Sequence, residues 1–209
     1  MKDMEKYNAL AVCGFRLLRC QPKDLFAAET ASVKNWVRTQ GYDAAAGLFR
    51  RGGYGDTIKA FDTSAWALLA FGPAMLRNEF GIDPGVLSQN IERTFMVQNN
   101  GTFGGNPMTA KGFDFSDSSN ATRIRRTGMK WVEGTNHMIL AYNELAAYYE
   151  PTDPARAQSF RNKSNYFQGR NNWSGIGDHL GWSYMYADRA NTPVFSDNPH
   201  WKITGGSST

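Results

Sequence analysis

Two carboxylates at matching positions are the residues whose type and spacing best suit catalysis. Asp62 and Glu133 each follow an apolar residue and precede small polar residues and a helical pattern, so they begin two copies of a repeat with an interval of 71 residues. Helices that pack side by side lie about 8–10 Å apart, which gives their first-turn carboxylates a similar separation. Inverting glycosidases hold an acid and a base about 6.5–9.5 Å apart. The pattern is therefore compatible with acid–base hydrolysis of a glycosidic bond.

Each carboxylate also has a structural interpretation. Asp is a favoured N-cap that stabilises a helix by about 1 kcal/mol, and Asp62 precedes a helical pattern. Glu is not a favoured N-cap, and Thr135 is better placed to cap, although a Glu in the first turn gains from the helix dipole. For catalysis we expect Glu133, between Trp131 and an apolar helix start, to be the desolvated acid, and the shorter, better-solvated Asp62 to be the base.

Further candidates lie near these carboxylates or in the segments between predicted helices. Sugar rings stack on the faces of Trp and Tyr, and guanidinium groups bind uronates or phosphorylated sugars. Each of these residues can equally stabilise a long loop or the rim of a helix, and Trp66, within a helix, is expected in the core. The substrate-binding candidates are Trp131, Trp182, Tyr184, Trp201, Arg126, Asp114 and His137. The three histidines are widely spaced and the cysteines lie elsewhere, so we expect neither a metal site nor a cofactor.

The elements that must position these residues are helix pairs. We predict pairs over about 4–40, 62–98 and 134–167, followed by a loop region at 168–209. Gly72-Pro73 predicts a kink, and the alternation over 181–187 indicates a short strand or hairpin arm. Long aromatic-rich segments recur at the same point of each unit, so they collect on one face beside the starts of the helices at 62 and 134. The sequence thus predicts an all-α fold of repeated antiparallel helix hairpins.

Four segments carry a resemblance to a known group of proteins. GLFRRGG (47–53), FDTSAWALLAFGP (61–73), KWVEGTNHMILAYNELA (130–146) and GWSYMYADRANTPVF (181–195) resemble the (α/α) toroid proteins of the six-hairpin glycosidase-like superfamily. Such toroids have six hairpins, which implies that residues 1–209 form one partial toroid domain and that the chain is a fragment. An exposed edge of such a fragment implies self-association. Residues 98–103 loosely resemble the terpene-cyclase toroids, but the acidic runs of those enzymes are missing.

Composition limits the partners. The 209 residues suffice for one domain, and 23 basic against 19 acidic residues, without long blocks of one sign, argue against nucleic acid and membrane-surface binding. The longest apolar stretch, 65–71, is too short to span a bilayer. Charged residues near the start argue against a signal peptide in this chain, although the true N-terminus could be missing, so localisation is left open.

These observations favour a glycoside hydrolase that acts on an oligo- or polysaccharide. One alternative is a polysaccharide lyase acting on uronic-acid polymers through Arg125, Arg126, His137 and Tyr184. The other is a carbohydrate-binding or scaffold module without catalysis. Substrate charge separates the first two, because neutral glycans favour the hydrolase and uronates favour the lyase.

Overall fold

The computed structural model describes residues 27–52, 55–103, 106–172, 175–178, 181–184, 192–193 and 202–203. The chain divides into two compact units, Met1–Trp36 and Val37–Thr209, and the expectation of one partial toroid domain stays a prediction. The described part of the first unit is helix α1, Ala27–Trp36. The helix expected over 4–20 lies outside the described residues.

The second unit is mostly helical, as the sequence predicts. It begins with a π-helical turn, Val37–Gly41, and its α-helices pair through short connections at 81–83 and 150–153. Helix α2 packs on α3 and on α5, and α5 packs on α6. The predicted second and third hairpins are thus confirmed, with these bounds: α2, Phe61–Phe80; α3, Pro84–Phe95; α4, Ser118–Arg123; α5, Val132–Tyr149; α6, Pro154–Asn172.

Local chemistry accounts for the helix boundaries. The Asp83 side chain caps α3 by accepting hydrogen bonds from the N–H groups of Gly85 and Val86, at 2.9 and 3.0 Å. Gly81 ends α2 in the left-handed region, at φ 68°. Gly72 has φ 71° and ψ 158° inside α2, directly before Pro73, so the predicted kink is confirmed.

Aromatic side chains form the centre of the core. Phe61 is fully buried, and its ring centroid lies 5.7 Å from that of Phe95 and 5.2 Å from that of Phe113. Phe113 also packs on Phe167, which stacks on Tyr142. These contacts join α2, α3, α5 and α6 around one hydrophobic core.

Small antiparallel sheets accompany the helices, which the all-α expectation does not include. The largest pairs Met96 with Phe113 and continues to Phe103 with Asn106. The sequence predicts that α3 runs to residue 98; the helix ends earlier because Met96 has an extended backbone, with φ −68° and ψ 131°. The strand predicted within 181–187 is present at Gly181–Tyr184. Each sheet has two strands, and the pairs are β1, Tyr42–Asp43, with β2, Leu48–Phe49; β3, Met96–Phe103, with β4, Asn106–Phe113; β5, Gly175–Asp178, with β6, Gly181–Tyr184; and β7, Thr192–Pro193, with β8, Lys202–Ile203.

None of the helices in the described ranges combines the length and the apolar character needed to cross a membrane.

Candidate functional site

Helices α2 and α5 begin side by side on the same short segment, residues 113–116. The N–H of Phe61 donates to the carbonyl of Phe115 and the N–H of Trp131 to the carbonyl of Phe113, both at 2.8 Å. The first residues of the two helices are therefore tied to one stretch of backbone. This confirms the expectation that the two helix starts share one face.

Hydroxyl groups at matching repeat positions fix each helix start to the end of a strand. Ser64 Oγ accepts the N–H of Phe49, at the end of β2, at 2.9 Å. Thr135 Oγ1 accepts the N–H of Phe113, at the end of β4, at 3.2 Å. Thr135 therefore accepts this hydrogen bond and does not provide the helix N-cap that we expected of it.

The capping interpretation of Asp62 is wrong. Ala60 and Trp131 are the N-cap residues of α2 and α5, and neither makes a side-chain cap. Asp62 and Glu133 are instead the second residues of their helices. Each therefore lies inside the first turn, at the end of its helix that faces the shared segment.

The two carboxylates differ in solvation, in the direction opposite to our expectation. Asp62 is half-buried and Glu133 is exposed. Burial raises the pKa of Asp62, and the nearby charge of Glu133 acts in the same direction; the Thr63 N–H, which donates to Asp62 Oδ1 at 2.8 Å, and the charge of Arg51 partly oppose this. Asp62 therefore holds its proton to a higher pH than an ordinary aspartic acid does.

An aromatic pair lies one helical turn beyond the carboxylates. The ring centroids of Trp66 and His137 are 4.8 Å apart, and His137 also meets Trp131 edge-to-face at 5.8 Å. The sequence predicts Trp66 in the core, yet 52% of its surface is exposed. Burial lowers the pKa of His137, and the Glu133 charge only partly offsets it, so the imidazole is mostly neutral at pH 7.

These contacts define the helix-start site: Asp62, Trp66, Glu133 and His137. It combines a half-buried carboxyl group whose pKa is raised, an exposed carboxylate and an exposed indole face. Such a set can donate a proton, activate water and hold a flat apolar ligand surface. The sequence missed Trp66, although its equivalence to His137 across the repeat was a usable signal.

Trp131, a predicted sugar-binding residue, is in the core. Only 3% of its surface is exposed, and its ring packs on Phe115 at 4.4 Å and on Phe61 at 6.0 Å. Its ring packs edge-to-face against His137, and it offers no exposed face to a ligand.

Asp114 and Arg126, also predicted to bind substrate, bind each other. Arg126 Nη1 and Nη2 donate to Asp114 Oδ2 and Oδ1 at 2.5 and 2.7 Å, and the N–H of Met129 donates to Asp114 Oδ2 at 2.9 Å. Their side chains are 2% and 7% exposed respectively. The pair stabilises the connection between β4 and α5, and we leave both residues out of the site.

The remaining candidates are not placed in the site. Trp182 and Tyr184 lie on strand β6, and Trp201 lies outside the described residues. In the part of the chain that the structure describes, no group of three or more His, Cys, Asp or Glu side chains could hold a metal ion.

Comparison of the chain with protein-family models, with curated proteins and with solved structures found no match.

Proposed function

We propose that the helix-start site binds a neutral carbohydrate chain and hydrolyses a glycosidic bond with inversion, within an (α/α) toroid of the six-hairpin glycosidase-like type. The observation that carries this proposal is the unequal carboxylate pair, half-buried Asp62 and exposed Glu133, at neighbouring helix starts beside exposed Trp66. The raised pKa of Asp62, to which the charge of Glu133 contributes, supports different catalytic roles for the two carboxyl groups.

In this mechanism Asp62 is the acid. Its protonated carboxyl group donates to the glycosidic oxygen as the bond breaks, and Glu133 takes a proton from the attacking water. This reverses the roles expected from the sequence, because the acid must be the less solvated group. Trp66 supports the apolar face of a sugar ring, and His137, packed between Trp66 and Trp131, positions the indole.

The lyase alternative has weaker support, because two of its four residues are engaged in other contacts and only Arg125 is an exposed cation. Arg126 is committed to Asp114, and His137 is packed between two indoles. A binding module without catalysis would need Trp66 but neither carboxylate, so binding and turnover must be measured separately.

Binding is tested by isothermal titration of the 209-residue chain with neutral gluco-, xylo- and manno-oligosaccharides. Trp66→Ala should weaken the binding of the preferred oligosaccharide about tenfold, equivalent to about 1.4 kcal/mol. Tyr166→Ala is the matched control, since Tyr166 is another exposed aromatic residue, on α6. Absence of binding to every oligosaccharide, or an equal loss in both variants, would contradict a sugar-binding role for this site.

Catalysis is tested on the preferred oligosaccharide by proton NMR. Hydrolysis with inversion should give a product whose first anomer is opposite to that of the substrate. An unsaturated product from uronic-acid oligomers would instead establish the lyase. Tight binding without any product would establish a binding module.

A further inference from the structure

A second concave surface lies between α3, β4 and α6, and shares no residue with the helix-start site. It has a volume of about 400 Å³, within the range of about 300–1,000 Å³ that is usual for small-molecule sites. Met96, Tyr166 and Phe167 provide apolar walls, and three charged residues border them. We call this surface the α6 cleft.

Two of the three charges in the α6 cleft neutralise each other. Lys163 Nζ donates to both carboxylate oxygens of Glu92, at 2.7 and 2.9 Å. The hydroxyl of Tyr142 also donates to Glu92, at 2.9 Å. Glu92 is thus a fixed and satisfied part of the wall, and Lys163 is held by it.

The third charge, Lys111 on β4, has no carboxylate partner among the described residues. Its Nζ lies over the ring of Tyr166, 5.4 Å from the centroid. Such a cation–π contact at an exposed ring contributes only about 0.5–1 kcal/mol, and it leaves the ammonium charge without a counter-charge in the part of the chain that the structure describes. With Glu92 and Lys163 paired, the cleft carries a net charge of about +1.

We propose that the α6 cleft binds a small aromatic monoanion, such as an aryl carboxylate. Its ring lies against Met96 and Tyr166, with the buried Phe167 beneath them, and its anionic group pairs with Lys111. A cation is disfavoured by the net positive charge. A dianion is disfavoured because it would have to compete with Glu92 for Lys163.

The test compares two probes with one aromatic body. Naphthoate carries the carboxylate and naphthamide is its neutral analogue, and each is titrated into the 209-residue chain by calorimetry. We expect saturable one-to-one binding of naphthoate, at least tenfold tighter than that of naphthamide. The advantage should shrink as salt is added, since the ion pair is partly exposed. Equal binding of both probes, or no saturable binding of naphthoate, would overturn the proposal.

Three lysine variants test whether Lys111 is the residue that binds the carboxylate of naphthoate. Lys111→Gln should bring naphthoate binding down to the level of naphthamide, and Lys111→Arg should restore the preference. Lys59→Gln, at a lysine outside the cleft, should leave it unchanged. Circular dichroism checks that each variant is folded. If Lys111→Gln retains the preference, or Lys59→Gln removes it, the anion binds elsewhere and the proposal fails.

Discussion

Trp66 and His137 occupy the same position in two copies of the repeat, and their rings lie 4.8 Å apart. A repeat that packs two equivalent helices side by side brings equivalent side chains together at their contact. The same relationship holds one turn earlier for Asp62 and Glu133, since the charge of Glu133 contributes to the raised pKa of Asp62. The candidate functional residues therefore occur in pairs, one on α2 and one on α5, because these two helices are equivalent in the repeat.

Removal of the hydroxyls that hold the helix starts should destabilise the protein. Ser64→Ala and Thr135→Val each leave a buried N–H, of Phe49 or Phe113, without its acceptor. An unsatisfied buried group costs about 1–3 kcal/mol, so the free energy of unfolding in urea should fall by that amount in each variant. Thr122→Ala, which removes an exposed hydroxyl, is the control. Equal stability of all three variants would show that these bonds are unimportant.

The buried pair of Asp114 and Arg126 should be a major determinant of stability. Arg126→Gln leaves the Asp114 carboxylate buried without its partner, and breaking a buried pair in this way costs about 3–5 kcal/mol. The neighbouring Arg125 is exposed, so Arg125→Gln should change the free energy of unfolding little. Thermal and urea unfolding of both variants measure the difference. Comparable effects at the two positions would refute a special role for the pair.

The burial of Asp62 predicts an unusual pH dependence of stability. Because burial raises the pKa of Asp62 above its ordinary 3.8, the folded chain binds this proton more tightly than the unfolded chain does. The contribution of Asp62 to the free energy of unfolding is greatest in acid and falls as pH rises through its folded pKa. Asp62→Asn, which cannot ionise, should therefore gain stability over the wild type as pH rises through this window.

Asp83 provides the control for that experiment. Burial acts to raise the pKa of Asp83, but the N–H groups of Val86 and Gly85 and the charge of Arg77 outweigh it, so the pKa is lowered. Asp83→Asn should consequently lose stability relative to the wild type as pH rises. Urea unfolding at a series of pH values compares the two slopes. Slopes of the same sign in the two variants would contradict the assigned environment of Asp62.

The sequence predicted those features that depend on local pattern and on the repeat. The hairpins α2–α3 and α5–α6 follow from apolar periodicity and from proline at the helix starts, and the proximity of Asp62 and Glu133 follows from equivalence. The β-hairpin formed by β3 and β4 was not predicted, because residues 96–98 extend the same apolar pattern beyond the true end of α3.

The environments of individual side chains could not be predicted in the same way. The pairing of Asp114 with Arg126 depends on how the connection between β4 and α5 folds back on itself. The relative solvation of Asp62 and Glu133 depends on how other parts of the chain pack around each helix start, since burial is the largest cause of the raised pKa of Asp62. Helical periodicity carries no information about either arrangement.

The assignment of acid and base leads to the most specific prediction about activity. Asp62→Asn and Glu133→Gln should each lower turnover of the preferred oligosaccharide about 10²–10⁴-fold, the usual contribution of general acid–base catalysis. Glu144→Gln is the matched control, because Glu144 is an exposed glutamate on the same helix, α5. The turnover of the Glu144→Gln variant should equal that of the wild type.

The two losses should differ in how they are rescued. A dinitrophenyl glycoside has a leaving group that needs no proton, so Asp62→Asn should hydrolyse it at nearly the wild-type rate. Azide needs no base to remove a proton, so it should restore turnover in Glu133→Gln and give a glycosyl azide of inverted configuration. In the wild type, activity should fall as pH rises through the raised pKa of Asp62, because only the protonated carboxyl can donate. If the activated substrate rescues Glu133→Gln and azide rescues Asp62→Asn, the roles are those expected from the sequence. If Glu144→Gln loses as much activity as either variant, the carboxylates of the helix-start site are not the catalytic pair.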